Sequence, residues 1–400
     1  MKIAMILDSA FPPDPRVENE AQTLIQNGHS VCLFSIDYSH KRKEYEVIKG
    51  IEVYRKHLPK HLYKFSALAY TLPYYHWYLQ KIIFEFITMN DIQAIHIHDM
   101  QIARTVFRVN KKLKKPVVLD LHENRPEIMK YYTHVNTGPG RLLISTSRWK
   151  KFEYQYIRLA DRVVVVTDEA KEYYAARTGA ARDKFYVVPN SVRPEFYSDY
   201  TIDEKILSRH KDRYVILYLG DTGLRRGLET AIRSLEFIIP QIPDIRLLIV
   251  GRSKTDQLLK RLVRNNNWDD HVEFTGWKDS DLFQSYLMAS DIGISPIHKN
   301  LHHDTTYANK IFQYMAFGKP VVVSNCTAQE NMVKKYHCGL VFDDRNARDF
   351  SEKIISLYSD RHLYDRLSAN ARKAIHSNLN WDVLSTGLIK LYSAISEQGR

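Results

Sequence analysis

Apolar and polar positions along this 400-residue chain change over in short blocks. KIAMILDS reads as a strand, RVENEAQTLIQNG as a helix stopping at Gly28, and SVCLFSI as the next strand. AIHIHD, the helix QIARTVFRVNKKLK and the strand PVVLDLHE follow. ADRVVVVTD, the helix EAKEYYAARTG and KFYVVPNS close this half. After the polar stretch SDYTIDEKILSRHKDR the pattern restarts with YVILYLG. It continues through GLETAIRSLEFII, IRLLIVG, a helix over 256–265, HVEFTG, a helix over 280–289 and DIGISP. Strands alternating with helices in this way predict parallel sheets covered on both faces. The restart predicts two doubly wound, Rossmann-like α/β domains joined near residues 190–212.

The segment TTYANKIFQYMAFGKPVVVS, residues 305–324, adds a further unit. Ala308, Ile311, Phe312 and Met315 fall on one helical face, and Asp304, Thr305 or Thr306 would cap the helix. Gly318 and Pro320 would end it, and Val321–Val323 would form a buried strand. Asn309 and Gln313 share one edge of this helix, whose N-terminus would suit an anion.

Length supports two cores over one. No apolar run reaches the roughly 18 residues that a membrane-spanning helix needs. The N-terminal apolar run is short and broken by proline, unlike a signal peptide. Cys32, Cys326 and Cys338 lack metal or redox spacing, so we expect a reducing, cytoplasmic setting.

Charge changes the picture more. Residues 41–160 hold 22 Lys and Arg against 10 Asp and Glu, which is the whole excess of 58 basic over 46 acidic residues. Within them, YRKHLPKHLYKFSALAYTLPYYHWYLQKIIFEF (54–86) mixes basic and aromatic side chains. That mixture fits an anionic membrane surface, and equally a solvated helical face over an ordinary core. Nucleic acid is the lesser reading of such a patch, and we expect none.

Ligands of open parallel sheets sit beyond the C-terminal strand ends. Asp8–Arg16, His98–Asp99 and His122–Glu123 stand there in the first half. GDTGLRRG (220–227), Gly251–Arg252 and Thr275–Gly276–Trp277 stand there in the second. Glycines in GDTGLRRG let backbone N–H groups approach an oxygen-rich ligand, and Arg225 and Arg226 could grip phosphate. A tight turn is the competing reading, since the spacing is neither GxGxxG nor a Walker loop. His96 and His98 share a strand face, but no third and fourth metal ligand stands out, so we expect no metal.

Taken together, SAFPPDPRVENEAQTLIQNGHSV, HIHD, LDLHENRPE, VVPNSV, YLGDTGLRRGLETAIRSL, HVEFTGW and NKIFQYMAFGKPVVVS resemble the family-4 retaining glycosyltransferases of GT-B fold, in the subset carrying Asn-Lys. The resemblance covers nearly the whole chain, and LNWDVLSTGLIKLYSAI looks like the family's last helix. It implies two Rossmann-like domains facing a central cleft. They would be an acceptor-side domain over 1–192, a donor domain over 193–378, and a final helix over 379–400 crossing back. It further implies metal-independent transfer of a sugar, with retention, from a nucleotide-diphosphate sugar to a glycan or lipid-linked acceptor in cell-envelope polysaccharide synthesis, with no cofactor. By resemblance His122 faces the donor sugar and Arg226 grips the diphosphate, beside Gly220 and Arg225. Arg252, Thr275, Gly276 and Trp277 hold base and ribose; Asn309, Lys310 and Gln313 belong to the donor site. Arg16, His98 and Asp99 lie on the acceptor side. The implied location is cytoplasmic, peripheral on the inner face of a membrane.

Three positions depart from the family pattern. Thr305 and Gln313 stand where two glutamates eight positions apart are usual, and Asp221 stands where many members have arginine. Gln313 can still accept a bond from a ribose hydroxyl but carries no charge. These departures leave an alternative open: a non-catalytic, glycosyltransferase-like sugar-nucleotide-binding or accessory protein. A nucleotide-sugar epimerase of the same fold is a third reading.

Overall fold

The computed structural model describes residues 1–398 and resolves into two compact units. One is Met1–Pro189 with the chain from Ser385 onward; the other is Asn190–Leu384.

The first unit is built on an eight-stranded sheet. Its strands are β1 (Lys2–Ile6), β2 (Ser30–Asp37), β3 (Tyr45–Ile48), β4 (Ile51–His57), β5 (Ala94–His98), β6 (Val117–Leu121), β7 (Arg162–Val165) and β8 (Phe185–Val187). They lie in the order β3-β4-β2-β1-β5-β6-β7-β8. All pairs are parallel except β3–β4. Every residue of β5 and β6 is buried, as strands covered by helices on both faces require. That leaves His96, His98 and Asp120 inside an otherwise aliphatic layer. The hairpin β3–β4 was not anticipated from the hydrophobic pattern. It turns through Lys49 and Gly50, both at positive φ, and adds an antiparallel edge to the sheet.

The first connecting helix, Pro15–Gln26, starts where expected. Asp14 accepts a bond from the Val17 N–H at 3.2 Å, and Pro15 occupies a position whose missing N–H costs nothing. This start sets Arg16 and Glu20 in the first turns of a helix packed against β2, from which they reach Asp120 of β6 and His96 of β5. The helix Thr386–Gln398 belongs to the same unit and brings the Tyr392 hydroxyl within 3.0 Å of His96 Nδ1.

The aromatic stretch 54–86 divides between core and surface. Tyr70, Tyr75 and Phe86 are buried, whereas Tyr63, Leu72, Tyr74 and Trp77 are exposed. Among the described residues no helix is long and apolar enough to cross a membrane.

The second unit carries six parallel strands: β9 (Tyr214–Leu219), β10 (Ile245–Val250), β11 (Val272–Gly276), β12 (Ile292–Ser295), β13 (Val321–Ser324) and β14 (Gly339–Phe342). Their order is β11-β10-β9-β12-β13-β14. One expectation needs correction. The helix before β13 starts at Lys310 and ends at Ala316, with Asn309 as its cap position. The side chains of Thr305 and Thr306 instead bond back to carbonyls of the short helix Leu301–Asp304. The helix N-terminus expected near residue 305 therefore lies at Asn309–Lys310, on a helix of seven residues, about two turns.

Candidate functional site

At the C-terminal edge of the first sheet, a charged network forms around Asp120, the fourth residue of β6. Arg16 donates to both carboxylate oxygens, from Nε at 3.1 Å and from Nη2 at 2.8 Å. A third guanidinium bond reaches the Val188 carbonyl at 2.9 Å, and Glu20 Oε1 lies 2.9 Å from Nη2. His122 Nε2 lies 2.9 Å from Asp120 Oδ2, and His98 Nδ1 lies 3.1 Å from the same His122 nitrogen. His96 Nε2 is 3.4 Å from Glu20 Oε2. The His122 backbone N–H donates to Asp99 Oδ1 at 3.3 Å. Glu20, His96, His98 and Asp120 are fully buried; 17 % of the His122 side chain is exposed.

Burial sets protonation here by opposing every charge, and neighbours decide which charges survive. Burial alone would raise Asp120, but Arg16 and then His122 hold its carboxyl well below the usual range. Burial likewise disfavours the His122 imidazolium, yet Asp120 and Asp99 override it and push His122 up to about 10. Burial pushes His98 down to about 3 and lifts the Glu20 carboxyl, with Arg16 opposing. It lifts Asp8, after β1, to about 6. His122 therefore carries both ring protons at neutral pH. Asp120 and Asp99 thus favour it as a cationic hydrogen-bond donor.

The structure supplies the third and fourth donors that the sequence did not show beside His96 and His98. Glu20, His96, His98 and Asp120 bring ligand atoms within 4.8 Å of one another. The donor set does not fit a metal as it stands, because the Arg16 guanidinium already bonds Asp120 and pairs with Glu20. A second cation there would meet that charge at contact distance. Arg16 and His98, expected on the acceptor side, are buried within this network, where His98 touches His122 and Arg16 holds Asp120. Asp99 is half-buried at the end of β5, at φ 61°.

In the second unit, the segment Gly220–Gly227 leaves β9 as a tight loop ending in the single turn Leu224–Arg226. Gly227 sits at φ 72°, and a Cβ there would lie 1.7 Å from the Pro296 carbonyl oxygen, so this position requires glycine. Gly251, after β10, approaches Gly220 as closely: a Cβ would stand 1.8 Å from the Gly220 oxygen. Gly251 also bonds to the Gly276 carbonyl at 2.9 Å. The strand ends of β9, β10 and β11 thus meet through bare backbone.

Around this loop two arginines and a buried lysine gather. Arg226 Nε is 3.2 Å from Asp221 Oδ2, and Arg225 Nη2 is 3.9 Å from it. Lys310 is buried, its ammonium 3.3 Å from the centre of the Tyr218 ring. Burial first, and then the charge of Arg226, drive the Lys310 pKa well below its ordinary value. The loop holds one carboxylate, Asp221, against two guanidiniums, and a bound anion would favour the charged form of Lys310 beside them. Two buried histidines, His302 and His303, lie beside them and were not anticipated. Burial and the neighbouring charges push each to about 3.

Of the other expected donor residues, Arg252, Thr275, Gly276 and Trp277 stand at the ends of β10 and β11, and Asn309 and Gln313 at the cap of, and within, the helix Lys310–Ala316. Arg252 and Asn309 are exposed, and Trp277 is 60 % exposed. The Thr275 hydroxyl donates to the Gly276 carbonyl at 3.1 Å. Gln313 is half-buried.

Comparison with known proteins agrees with this geometry. The description "Glycosyltransferase Family 4" matches residues 16–196, and "Glycosyl transferases group 1" matches residues 199–374. A GDP-mannose-dependent alpha-(1-6)-phosphatidylinositol monomannoside mannosyltransferase of Mycobacterium tuberculosis is 24% identical over 232 residues. These are 57% of this chain and 60% of that protein, so the chain spans about three fifths of the length of that relative. Among solved structures, sucrose-phosphate synthase from Thermosynechococcus elongatus superposes with a TM-score of 0.78 at 18% identity, covering 100% of both chains. HepE of Anabaena, solved with UDP, superposes with a TM-score of 0.72 at 14% identity, covering 98% of this chain and 100% of that one. With one glycosyltransferase domain matched on each half and the two parallel sheets in place, the chain belongs to the GT-B glycosyltransferases of the family 4 and group 1 type.

Proposed function

We propose that this chain is a retaining, metal-independent glycosyltransferase that moves a sugar from a nucleoside-diphosphate sugar to a lipid-linked or glycan acceptor. The carrying observation is the cluster of Arg225, Arg226 and Lys310 around a glycine loop that holds a single carboxylate. A partly buried excess of positive charge is stabilised by a bound anion, and a diphosphate supplies one of matching shape. Gly220 lets that anion approach the backbone. Thr275–Gly276, Trp277 and Arg252 take base and ribose, and Gln313 and Asn309 bond the ribose with neutral amides.

In the reaction the bond between the anomeric carbon and the diphosphate oxygen breaks, and its electron pair stays on the diphosphate. Arg226, Arg225 and Lys310 stabilise the charge that develops there. The acceptor oxygen bonds to the anomeric carbon on the face the diphosphate leaves, and its proton passes to a phosphate oxygen. His122, doubly protonated, donates a hydrogen bond to the sugar. Its high pKa accords with a mechanism that asks no protein base for help.

Support for a lipid-linked acceptor comes from the basic, aromatic stretch and from the phosphatidylinositol-based acceptor in the name of the mycobacterial relative. On this reading the protein works in envelope polysaccharide synthesis, on the inner face of a membrane. Binding to anionic vesicles that weakens steeply with salt would support this location, and salt-insensitive binding or none would remove it. A non-catalytic, sugar-nucleotide-binding protein is the second reading, favoured by Asp221 lying across Arg226. Incubation with UDP-, GDP- and dTDP-sugars separates the two. Release of nucleoside diphosphate supports a transferase, whereas binding without turnover supports the second reading.

A further inference from the structure

A cavity of about 750 Å³ opens within the first unit, away from the buried network but sharing its scaffold. Its walls come from the helix Lys60–Ser66 and the turn after it, from the helix Arg125–Met129, and from the segment leading to Trp149. Leu68, Met129, Leu143 and Ile144 give it apolar sides, while Lys64 and Arg125 bring charge to it. Among the described residues no aspartate or glutamate lines it, and the carboxylate nearest its charge is Glu123, paired with Arg125 just outside the lining.

Two further observations point to a ligand. Trp149, in the wall, is 1 % exposed, and its indole N–H has no hydrogen-bond partner among the described residues. A buried donor left unpaired costs about 1–3 kcal/mol, which an occupant with an acceptor oxygen would offset. The wall helices also turn apolar side chains outward. Tyr63 and Leu143, both in the lining, are 64 % and 44 % exposed, apolar surface that a hydrocarbon chain would cover.

The cavity is continuous with the loop that carries His122. Arg125 donates to Glu123 Oε1 at 3.0 Å and to Gln101 Oε1 at 3.1 Å. Gln101 follows Asp99 after β5, and Glu123 follows His122 after β6. An occupant held by Arg125 therefore lies beside the strand ends that present His122.

The geometry points to a lipid phosphate as that occupant: a single long hydrocarbon chain ending in a phosphate group. The chain runs along Leu68, Met129, Leu143 and Ile144, and the phosphate pairs with Lys64 and Arg125. Apolar walls alone would take a neutral lipid, and basic groups alone would take a free anion. Their combination, with no carboxylate in the lining, selects a molecule that is both. That this lipid is the sugar acceptor rests on the transferase reading above; the site itself does not.

The test is a fluorescence titration of the full chain with geranylgeranyl phosphate below its micellar concentration. Geranylgeraniol and inorganic phosphate serve as separate arms. We expect the lipid phosphate to bind, and each of the other two at least about tenfold more weakly. Lys64→Ala, on the exposed rim, should weaken lipid-phosphate binding about tenfold. Leu143→Asp should remove it, with the melting temperature and nucleoside-diphosphate binding unchanged in both variants. Equal affinity for the alcohol, equal affinity for inorganic phosphate, or wild-type binding by both variants would each overturn the proposal. Loss of nucleoside-diphosphate binding with the lipid pattern intact would sink the transferase reading and leave this site standing.

Discussion

Replacing Asp120 by asparagine probes the first unit's network at its hub. Asp120 is fully buried, and Arg16, whose side chain is 5 % exposed, spends two of its bonds on this carboxylate. Removing one partner of such a pair strands the other charge in a low-dielectric interior, at a cost of about 3–5 kcal/mol. For a unit of this size each kcal/mol lowers the melting temperature by about 2–4 °C, so a fall of roughly 6–20 °C is expected. Glu20, 2.9 Å from Arg16 Nη2, is relieved of the Asp120 charge in this variant and offsets part of the loss, which favours the lower end of that range. The second variant removes the stranded charge: in Asp120→Asn with Arg16→Met, most of the lost stability should return. A double-mutant cycle in denaturant should then give a coupling of at least about 2 kcal/mol. The His122 ring resonances should also titrate well below the wild-type value of about 10 in Asp120→Asn. If Asp120→Asn costs under about 1 kcal/mol, or if the two changes simply add, the network does not hold His122 as described.

Three further outcomes follow from the same geometry. His122→Ala should abolish sugar transfer while leaving nucleoside-diphosphate affinity unchanged; parallel loss of both would remove the role assigned to this ring. Asp221→Asn frees Arg226 from its carboxylate partner and removes a charge that repels phosphate. It should tighten diphosphate binding about two- to fivefold, the worth of a half-exposed pair, and weaker binding would contradict this. Because the folded second unit holds His302 and His303 neutral down to about pH 3, these residues take up protons on unfolding below their ordinary pKa of 6.5. Their contribution is complete above pH 6.5 and is lost as pH falls toward 3, with a slope of up to about 2.7 kcal/mol per pH unit for two protons. Denaturant titrations of that unit's transition at pH 7 and pH 5 should show it, and in His302→Gln the dependence should shrink. A pH-independent midpoint would refute the assignment.

Much of the fold is legible in the hydrophobic pattern, because strands covered on both faces must be apolar throughout. YVILYL and PVVLDL announce themselves in this way. The edge hairpin is harder to see. Tyr45–Ile48 and Ile51–His57 alternate as strands do, but Lys49-Gly50 is a weak turn signature beside Asn-Gly. The helix at residue 310 is misplaced from sequence because Thr305 and Thr306 read as caps. In the folded chain their hydroxyls bond backward to Leu301 and His302.

The donor loop is legible because its chemistry is local: glycines and arginines lie within eight residues. The Asp120 network is not local. Arg16 meets Asp120 across 104 residues of chain, and Glu20 looks like an exposed helix residue until folding buries it beside His96. Likewise, nothing in NLHHDTT says that its two histidines will be buried beside Arg225 and Arg226. Tertiary packing alone decides these protonation states.

The central claim is that the glycine loop, with Arg225, Arg226 and Lys310, is a working diphosphate site. Calorimetric titration with UDP, GDP, ADP and dTDP, with and without magnesium, tests it most directly when wild type and Arg226→Ala are compared. One nucleoside diphosphate should bind wild type without metal, and bind Arg226→Ala about ten- to hundredfold more weakly. No binding by any of the four, or equal affinity in the two proteins, would contradict it.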